Sequence, residues 1–318
     1  MPLTHAPAAA RPRQNRLVRA LAAVVVLCGV GWATTAVWPA DTTAHWQFVA
    51  EAQASWWVGA AAAVFGAGAL QSWRRAFIYL LVFVVAVAAL PRVPSPTFFD
   101  RDATPTIRVF TLNTSFGAAD DATIVDSIAD LRPDVVFLSE TDEAEVQAVA
   151  AGTGYVALTT ADPGAGGADG VAALASPGYA ARTSAEAQLE QGVTRFQMPS
   201  VRVVQDAVVT HVVGVHAVAP IGTDRAGWDA DLRGIGQWVS QRDKVVLAGD
   251  FNATRGHPRF RDIGLQSCTG RLAHTPTWPS TFPVIRLDHI LTTGQCFGGG
   301  TLAVPGTDHL GVWADVSS

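Results

Sequence analysis

Eight side chains that can move a proton or bind a metal lie at or near the ends of apolar runs in the last two thirds of the chain. Carboxylate, amide and imidazole groups act as general acids and bases and as ligands for hard cations. Since a strand delivers its last residue to one edge of a sheet, distant runs of this kind can build one site. In chain order the eight are Asn113, Glu140, His216, Asp250, Asn252, Asp288, Asp308 and His309.

Two stretches carry more information than the others. Asp288 stands in "RLDHIL", an apolar context in which a carboxylate is costly unless it is paired, and this predicts a partner for it. Asp250 and Asn252 stand in "GDFNA", an unusual sequence for an ordinary turn. Each of the eight residues alone is compatible with a turn, a cap or a core position, so their shared placement is what indicates a site.

The runs that carry these residues are typical of β-strands, because they are rich in Val and Ile and are bounded by Gly, Pro, Asn or Asp. Apolar residues at helical spacing predict helices over 118–133 and 224–242. Many strands with few helices indicate an α+β domain with sheets inside and helices outside. The predicted strands cover 106–114, 134–140, 170–176, 202–217, 244–251, 287–293 and 309–316.

From about Ile107 to Val316 the chain resembles the endonuclease/exonuclease/phosphatase family, which has the DNase I-like fold. The matching pieces are "TLNT", "LSET", "VHAVAP", "GDFNA", "RLDHIL" and "GTDHLGV", in the family's order. The resemblance implies an α+β domain over 106–318 built as a four-layer α/β/β/α sandwich. It also implies that the domain hydrolyses phosphate esters.

The resemblance implies Mg²⁺ as cofactor, with Mn²⁺ as the alternative, because a bound cation neutralises an anionic phosphate centre. Glu140 and Asn113 are the expected ligands, and Asp308 is expected either to bind the metal or to orient an asparagine. Asp288 is expected to hold the ring of His309.

The resemblance leaves two candidates for the general base that activates water. One is His309 and the other is Asp250, and the sequence does not separate them. Asn252 and His216 are expected to donate hydrogen bonds to the non-bridging phosphate oxygens, where charge accumulates. Asn113 can make the same contact.

Three apolar stretches in the first hundred residues predict transmembrane helices at about 17–38, 52–71 and 76–90. Four arginines precede the first stretch, the first loop has no Lys or Arg, and the second loop has two arginines. By the positive-inside rule the N-terminus is cytoplasmic and the C-terminal domain lies outside. A cleaved signal peptide is the alternative for the first stretch.

The predicted organisation is therefore a cytoplasmic basic tail over 1–16, a multi-pass membrane anchor over 17–90, a Pro-rich linker over 91–105 and an extracytoplasmic domain over 106–318. That domain contains two cysteines, Cys268 and Cys296. A cysteine pair outside the cytoplasm is compatible with a disulfide, but the sequence leaves the pairing open. Residues 101–318 contain 15 Lys or Arg against 24 Asp or Glu, a net charge of −9, which makes nucleic acid an unfavourable partner.

An acidic domain on a membrane anchor resembles the membrane-bound family members that are linked to glycopeptide antibiotic resistance. We therefore expect a metal-dependent phosphoesterase that acts on a phosphate ester or pyrophosphate of a lipid or polyprenyl chain at the outer membrane face. An extracellular nuclease is the alternative, for which the basic stretch "TRGHPRFR" (254–261) is the relevant feature. A catalytically degenerate phospholipid-binding sensor is the second alternative.

Overall fold

A computed structural model describes residues 16–35, 38, 49, 55–88, 107–164, 167–183, 186–205, 208–221, 224–268 and 275–317. The chain divides into two compact units. Unit one comprises residues 1–39 and 52–93, and unit two comprises residues 40–51 and 94–318. Almost all of the predicted basic tail and the whole predicted linker over 91–105 lie outside the described residues.

The described part of unit one consists mainly of three apolar helices, α1 (Arg16–Thr34), α2 (Trp56–Ala69) and α3 (Trp73–Ala88). Among the described residues only α1 is long and apolar enough to cross a membrane. The 14 residues of α2 rise about 21 Å, short of a hydrocarbon core of roughly 30 Å. The 16 residues of α3 begin with a turn that carries two arginines.

The prediction of three membrane spans at 17–38, 52–71 and 76–90 is thus corrected to one candidate span. A multi-pass anchor is not supported, because the second and third apolar stretches form helices that are too short. The one candidate lies near the N-terminus, where a signal sequence would satisfy the same criteria of length and composition.

Small residues allow α1 and α2 to pack backbone against backbone. A Cβ atom added to Gly29 would lie 2.6 Å from the carbonyl oxygen of Gly59 and 2.6 Å from the amide nitrogen of Ala63. A Cβ atom added to Gly59 would lie 2.6 Å from the Cβ atom of Trp32. Close packing through glycine and alanine is a common mode of helix association in membranes.

Unit two contains two six-stranded mixed sheets. The strands of the first sheet, in spatial order, are β11 (Cys296–Ala303), β12 (Leu310–Val316), β1 (Ile107–Asn113), β2 (Val135–Ser139), β4 (Val171–Ala175) and β3 (Val156–Ala157). Those of the second sheet are β5 (Glu186–Leu189), β6 (Pro199–Gln205), β7 (Val208–His216), β8 (Val245–Asp250), β10 (Asp288–Thr292) and β9 (Gln266–Ser267).

Helices cover the outer faces of both sheets. Helices α4 (Asp121–Leu131) and α5 (Glu143–Thr153) share a buried apolar cluster with β1, β2 and β4. Helix α7 (Arg225–Val239) shares another with β7 and β8, which also includes a residue of the short helix α8 (Pro258–Asp262). Helix α6 (Pro177–Thr183) follows β4. A third buried cluster lies between the sheets, so the described residues form the four layers expected of an α/β/β/α sandwich.

Strand register brings the polar strand ends together. In the parallel pair β7–β8, His216 lies opposite Asp250. In the antiparallel pair β8–β10, Asp288 lies opposite the same Asp250. In the first sheet the parallel pair β1–β2 places Asn113 opposite Ser139, the residue directly before Glu140. Each sheet therefore delivers its part of the site through adjacent strands.

The structure shows the disulfide that the sequence left open. Cys268 follows β9 in the second sheet and Cys296 begins β11 in the first, and the two are bonded with their Cα atoms 5.4 Å apart. Both cysteines are buried. This bond links the two sheets covalently at one side of the sandwich.

Candidate active site

The imidazole of His309 lies between two buried carboxylates. Its Nδ1 atom is 2.9 Å from Oδ2 of Asp288, which is hydrogen-bond distance, and its Nε2 atom is 3.8 Å from Oδ2 of Asp250. His309 comes from the end of the loop before β12, whereas both aspartates come from the second sheet. The predicted pairing of His309 with Asp288 is therefore present in the structure.

These contacts determine the pKa values of His309 and Asp250. Burial lowers the pKa of His309, but the carboxylates of Asp288 and Asp250 outweigh it and raise that pKa to about 10. Burial raises the pKa of Asp250 to about 6, against the opposing effect of the nearby His309. A carboxylate-held imidazole beside a second carboxylate can move a proton to or from a reacting water.

Asn113 connects the two sheets at the base of the site. Its Nδ2 atom donates to Oε1 of Glu140 at 2.9 Å and approaches Oδ2 of Asp250 at 3.2 Å. Its Oδ1 atom accepts from the backbone N–H of Ser115 at 2.9 Å. In this geometry Asn113 turns its amide nitrogen, rather than its oxygen, toward the acidic groups. It is therefore better placed to orient Glu140 than to ligate a cation beside it.

His216 lies on the other side of Glu140. Its Nε2 atom is 3.5 Å from Oε1 of Glu140. Its Nδ1 atom is 2.9 Å from the carbonyl oxygen of Ala168, which can only accept, so Nδ1 carries a hydrogen. The ring stacks on Phe196 with the centroids 4.8 Å apart. Phe196 and Ala168 are contacts that the sequence motifs did not indicate.

Two residues of the site have backbone conformations that residues other than glycine rarely adopt. Glu140 has φ of 52° and Asn252 has φ of 47°, both in the left-handed region. The amide of Asn252 donates to Oδ1 of Asp250 at 2.7 Å, and its side-chain Nδ2 donates to the carbonyl oxygen of Ala217 at 3.0 Å. Such strain persists only where the surroundings enforce it, and it concentrates at functional sites.

Asp308 occupies the rim of the site, where a hydroxyl and an indole contact its carboxylate. Its Oδ1 atom accepts from the hydroxyl of Ser115 at 2.5 Å, and its Oδ2 atom accepts from Nε1 of Trp278 at 2.9 Å. Burial raises its pKa, but these two hydrogen bonds outweigh burial and lower it. The contacts of Asp308 are thus with Ser115 and Trp278 and not with an asparagine. Its nearer oxygen lies 3.9 Å from Nε2 of His309.

The residues present suit a hard divalent cation. Donor atoms of Asp250, Asp288 and His309 lie within 4.8 Å of one another, a grouping that differs from the predicted set of Glu140, Asn113 and Asp308. Asp288 is engaged by His309, and the carboxylates of Glu140 and Asp250 approach one nitrogen of Asn113. These two carboxylates are the oxygen donors that Mg²⁺ prefers, and neither is engaged by a cationic side chain at hydrogen-bond distance.

The order of the motifs and this geometry agree with a comparison to known families. The sequence matches the Endonuclease/Exonuclease/phosphatase family over residues 110–309, more than half of the 318 residues. All eight predicted site residues fall within the matched range. The protein belongs to the endonuclease/exonuclease/phosphatase family. The resemblance seen in the sequence is thereby confirmed at the level of the family and its phosphoesterase fold.

Solved structures of the endonuclease/exonuclease/phosphatase family share this fold at low identity. A functionally unknown conserved protein from Enterococcus faecalis is 16% identical with a TM-score of 0.51, over 67% of this chain and 100% of that one. A mannosyl-6-phosphatase from Bacteroides thetaiotaomicron is 14% identical with a TM-score of 0.51, over 67% and 100%. D. rerio TDP2, in complex with a single-strand DNA product, is 14% identical with a TM-score of 0.52, over 67% and 99%. No curated protein sequence matches the chain significantly.

Proposed function

We propose that this family member is a metal-dependent phosphoesterase that hydrolyses a phosphate ester or pyrophosphate of a lipid or polyprenyl chain at the outer membrane face. The observation that carries the proposal is the His309 ring, held by Asp288 and facing Asp250, in the same site as Glu140 and Asn113. This arrangement places a proton-transfer group beside oxygen ligands, as hydrolysis of an anionic ester requires.

The residues of the site have different proposed roles. Glu140 and Asp250 would hold Mg²⁺ or Mn²⁺, which when bound neutralises the phosphate charge and stabilises the leaving oxygen. His309, through Nε2, and the facing carboxylate of Asp250 carry the proton transfer with the attacking water, while Asp288 fixes the ring through Nδ1. His216 and Asn252 are the groups that we expect to contact the non-bridging oxygens, and Asn113 orients Glu140.

Three features support a substrate at the membrane surface. Helix α1 is a candidate span, and the arginines before it and in its first turn favour a cytoplasmic N-terminus with unit two outside. The Cys268–Cys296 disulfide is compatible with an oxidising compartment. The shared fold does not choose the substrate, since it occurs both in a sugar-phosphate phosphatase and in a protein bound to a DNA product.

The nuclease alternative is less favoured by the arrangement of the basic stretch over 254–261. Arg259 donates to Asp229 at 2.9 Å and lies 3.6 Å from Asp262. Arg261 donates to the carbonyl oxygen of Gly256 at 2.8 Å. These two guanidinium groups are already engaged by acceptors of the chain itself, and unit two carries the excess of acidic residues described above.

The test is hydrolysis by the purified full chain with Mg²⁺, on a panel of lipid phosphates, polyprenyl phosphates, sugar phosphates and plasmid DNA. The expected result is hydrolysis that EDTA abolishes and that His309→Ala and Glu140→Ala reduce by about 10²-fold or more, because they remove a proton-transfer group and a metal ligand.

Matched controls are available on the same elements. His211 lies on β7, five residues before His216, and Glu143 is exposed on α5. His211→Ala and Glu143→Ala are expected to retain the parent activity. If both His309→Ala and Glu140→Ala hydrolyse the substrates as fast as the parent chain, the assigned active site is wrong. If the parent chain hydrolyses none of the substrates, the sensor alternative replaces the enzyme.

A further inference from the structure

A left-handed turn at the edge of the site exposes a phenylalanine. Ser115, Phe116 and Gly117 have consecutive positive φ values of 51°, 61° and 70°. Left-handed φ is uncommon for a bulky side chain and costs free energy. The turn nevertheless leaves the Phe116 side chain 63% exposed. Neither core packing nor turn geometry calls for an aromatic residue at this position.

A second phenylalanine is exposed on the loop between β9 and β10. Phe282 is 76% exposed, and the neighbouring Val284 is 47% exposed. Among the described residues of unit two, Phe116 and Phe282 are the two aromatic side chains classed as exposed. Exposing phenylalanine to water is unfavourable, so two exposed phenylalanines on loops that both contact Asp308 point to a surface that is covered in use.

Asp308, next to His309 of the catalytic centre, makes hydrogen bonds to both loops that carry the phenylalanines. Its carboxylate accepts from Ser115, next to Phe116, and from Trp278. Its backbone carbonyl accepts from the N–H of Ser280, two residues before Phe282, at 2.7 Å. Since the next residue is His309, both aromatic rings belong to loops that border the proton-transfer group. We call Phe116 and Phe282 the aromatic rim.

The chemistry of the two loops selects the kind of partner. Residues 113–118 and 277–285 contain no charged side chain, so the aromatic rim offers no cation to a nucleic acid or an acidic peptide. Phenylalanine together with uncharged polar neighbours is suited to the boundary between headgroups and acyl chains. The same chain carries one helix that is apolar and long enough to cross a membrane. A lipid bilayer is the partner that matches the exposed phenylalanines, the uncharged loops and the apolar helix.

We propose that the aromatic rim inserts into the interface of a lipid bilayer and brings the catalytic centre to the depth of lipid phosphate groups. The proposal rests on the proposed phosphoesterase function and names the surface through which the site reaches phosphate esters embedded in a membrane. It also assigns Asp308 a positioning role: its side chain holds both loops at the mouth of the site.

The first experiment locates the membrane contact directly. The full chain is reconstituted into phosphatidylcholine vesicles that contain a photoactivatable phosphatidylcholine with its diazirine close to the glycerol. After irradiation, labelled peptides are identified by mass spectrometry. The expected result is labelling of the peptides that contain Phe116 and Phe282, with no labelling around Val156, an exposed apolar residue on β3. Labelling confined to unit one would overturn the proposal.

The second experiment separates the aromatic rim from the catalytic chemistry. It compares dodecyl 4-nitrophenyl phosphate in vesicles with methyl 4-nitrophenyl phosphate in solution, two diesters that share one leaving group. In the double variant Phe116→Ser/Phe282→Ser, hydrolysis of the dodecyl ester is expected to fall by about tenfold or more, because apolar burial is lost. Hydrolysis of the methyl ester is expected to stay unchanged, and Val156→Ser serves as the control.

The outcomes distinguish the two proposals. If the double variant hydrolyses both esters like the parent chain, the aromatic rim has no membrane role and the phosphoesterase function stands. If the parent chain hydrolyses neither these esters nor any member of the substrate panel, the phosphoesterase function fails, and the role of the aromatic rim in reaching membrane-embedded esters fails with it.

Discussion

At the scale of single residues, the decisive feature is the charge balance around His309. The ring contacts Asp288 directly and approaches Asp250, and these two carboxylates outweigh the effect of burial on its pKa. The state of this one imidazole therefore depends on groups from another sheet, and this dependence can be measured.

We expect Asp288→Asn to lower the pKa of His309 from about 10, because the substitution removes the charge at Nδ1 that opposes burial. The pKa is measured by NMR titration of the imidazole in the full chain with EDTA present. The same variant is expected to lose about 10²–10⁴-fold in hydrolysis rate, since the imidazole is no longer oriented for proton transfer. Asp229→Asn, at a half-buried residue of α7 that pairs with Arg233 and Arg259, is the control. An unchanged His309 titration in Asp288→Asn would contradict the assignment.

A second residue, Glu145, makes unit two less stable as the pH rises. Glu145 is buried, and its Oε2 atom accepts from the hydroxyls of Thr114 at 2.7 Å and Thr141 at 2.5 Å. Burial raises its pKa to about 7, against the opposing effect of these hydrogen bonds. Because the folded-state pKa lies above the unfolded value of 4.5, its contribution to stability is complete below pH 4.5 and is lost as the pH rises through 7.

We therefore expect the free energy of unfolding of the parent chain to fall between pH 5 and pH 8 by up to about 3 kcal/mol more than that of Glu145→Gln. Glutamine keeps an oxygen that accepts from both threonines and has no charge to bury. Urea unfolding at the two pH values measures the difference. Glu143→Gln, exposed on the same helix, is the control, and parallel pH dependences in the parent chain and Glu145→Gln would show that Glu145 is not the source.

Some residue contacts could be predicted from the sequence and others could not. Asp288 stands in an apolar strand, and its need for a partner pointed to His309. Nothing local indicated that Asp308 would contact Ser115, which is 193 positions away. The amide of Asn113 also offers both an oxygen and a nitrogen, and only the position of the Ser115 N–H decides which of them faces Glu140.

At the scale of elements, the strands that deliver the site follow the apolar runs of the sequence. The predicted strand over 202–217 is in fact the antiparallel pair β6 and β7, in which Gln205 lies opposite Val208. The sequence does not indicate the turn between the two strands, because their short connection contains neither Gly nor Pro. Helix α5 was not predicted, since Val146 and Val149 are its only large apolar residues. The capping contact of Asp142 with the N–H of Glu145 marks where this helix begins.

The disulfide belongs to this scale because it joins β11 of one sheet to the segment after β9 of the other. Cys268 and Cys296 are separated by 28 residues, and closing a loop of this size stabilises a fold by about 3 kcal/mol through the unfolded chain. We expect Cys268→Ser/Cys296→Ser to lower the free energy of unfolding by that amount. The double variant should therefore unfold at a lower urea concentration. Cys28→Ser in α1 is the control, and equal midpoints for the double variant and the parent chain would contradict the expectation.

At the scale of the whole molecule, the sequence indicated the family and the layered fold but overestimated the membrane part. Hydropathy identified all three apolar stretches, and each forms a helix. Their lengths depend on where each helix begins and ends, which hydropathy does not define. Among the described residues only α1 is long enough to span, so the proposed orientation rests on the arginines around one helix.

We expect alkaline phosphatase fused after residue 105 to be active and a green fluorescent protein fused at the same position to be dark, because Arg11, Arg13, Arg16 and Arg19 keep the N-terminus cytoplasmic. The paired reporters are measured in intact cells. Replacing the four arginines by glutamine is the control that should weaken this orientation. A fluorescent, phosphatase-inactive pair would place unit two in the cytoplasm.

The hydrogen bonds from Asn113 and His309 to aspartates of the opposite sheet have a consequence for unfolding. Neither half of the sandwich holds a complete set of reactive groups, so a partly melted intermediate that keeps one sheet cannot turn over substrate. The rate of hydrolysis should then report whether the two sheets unfold together. During denaturation it should disappear together with the near-ultraviolet circular dichroism of the aromatic core, and it should return only when both halves have reassembled.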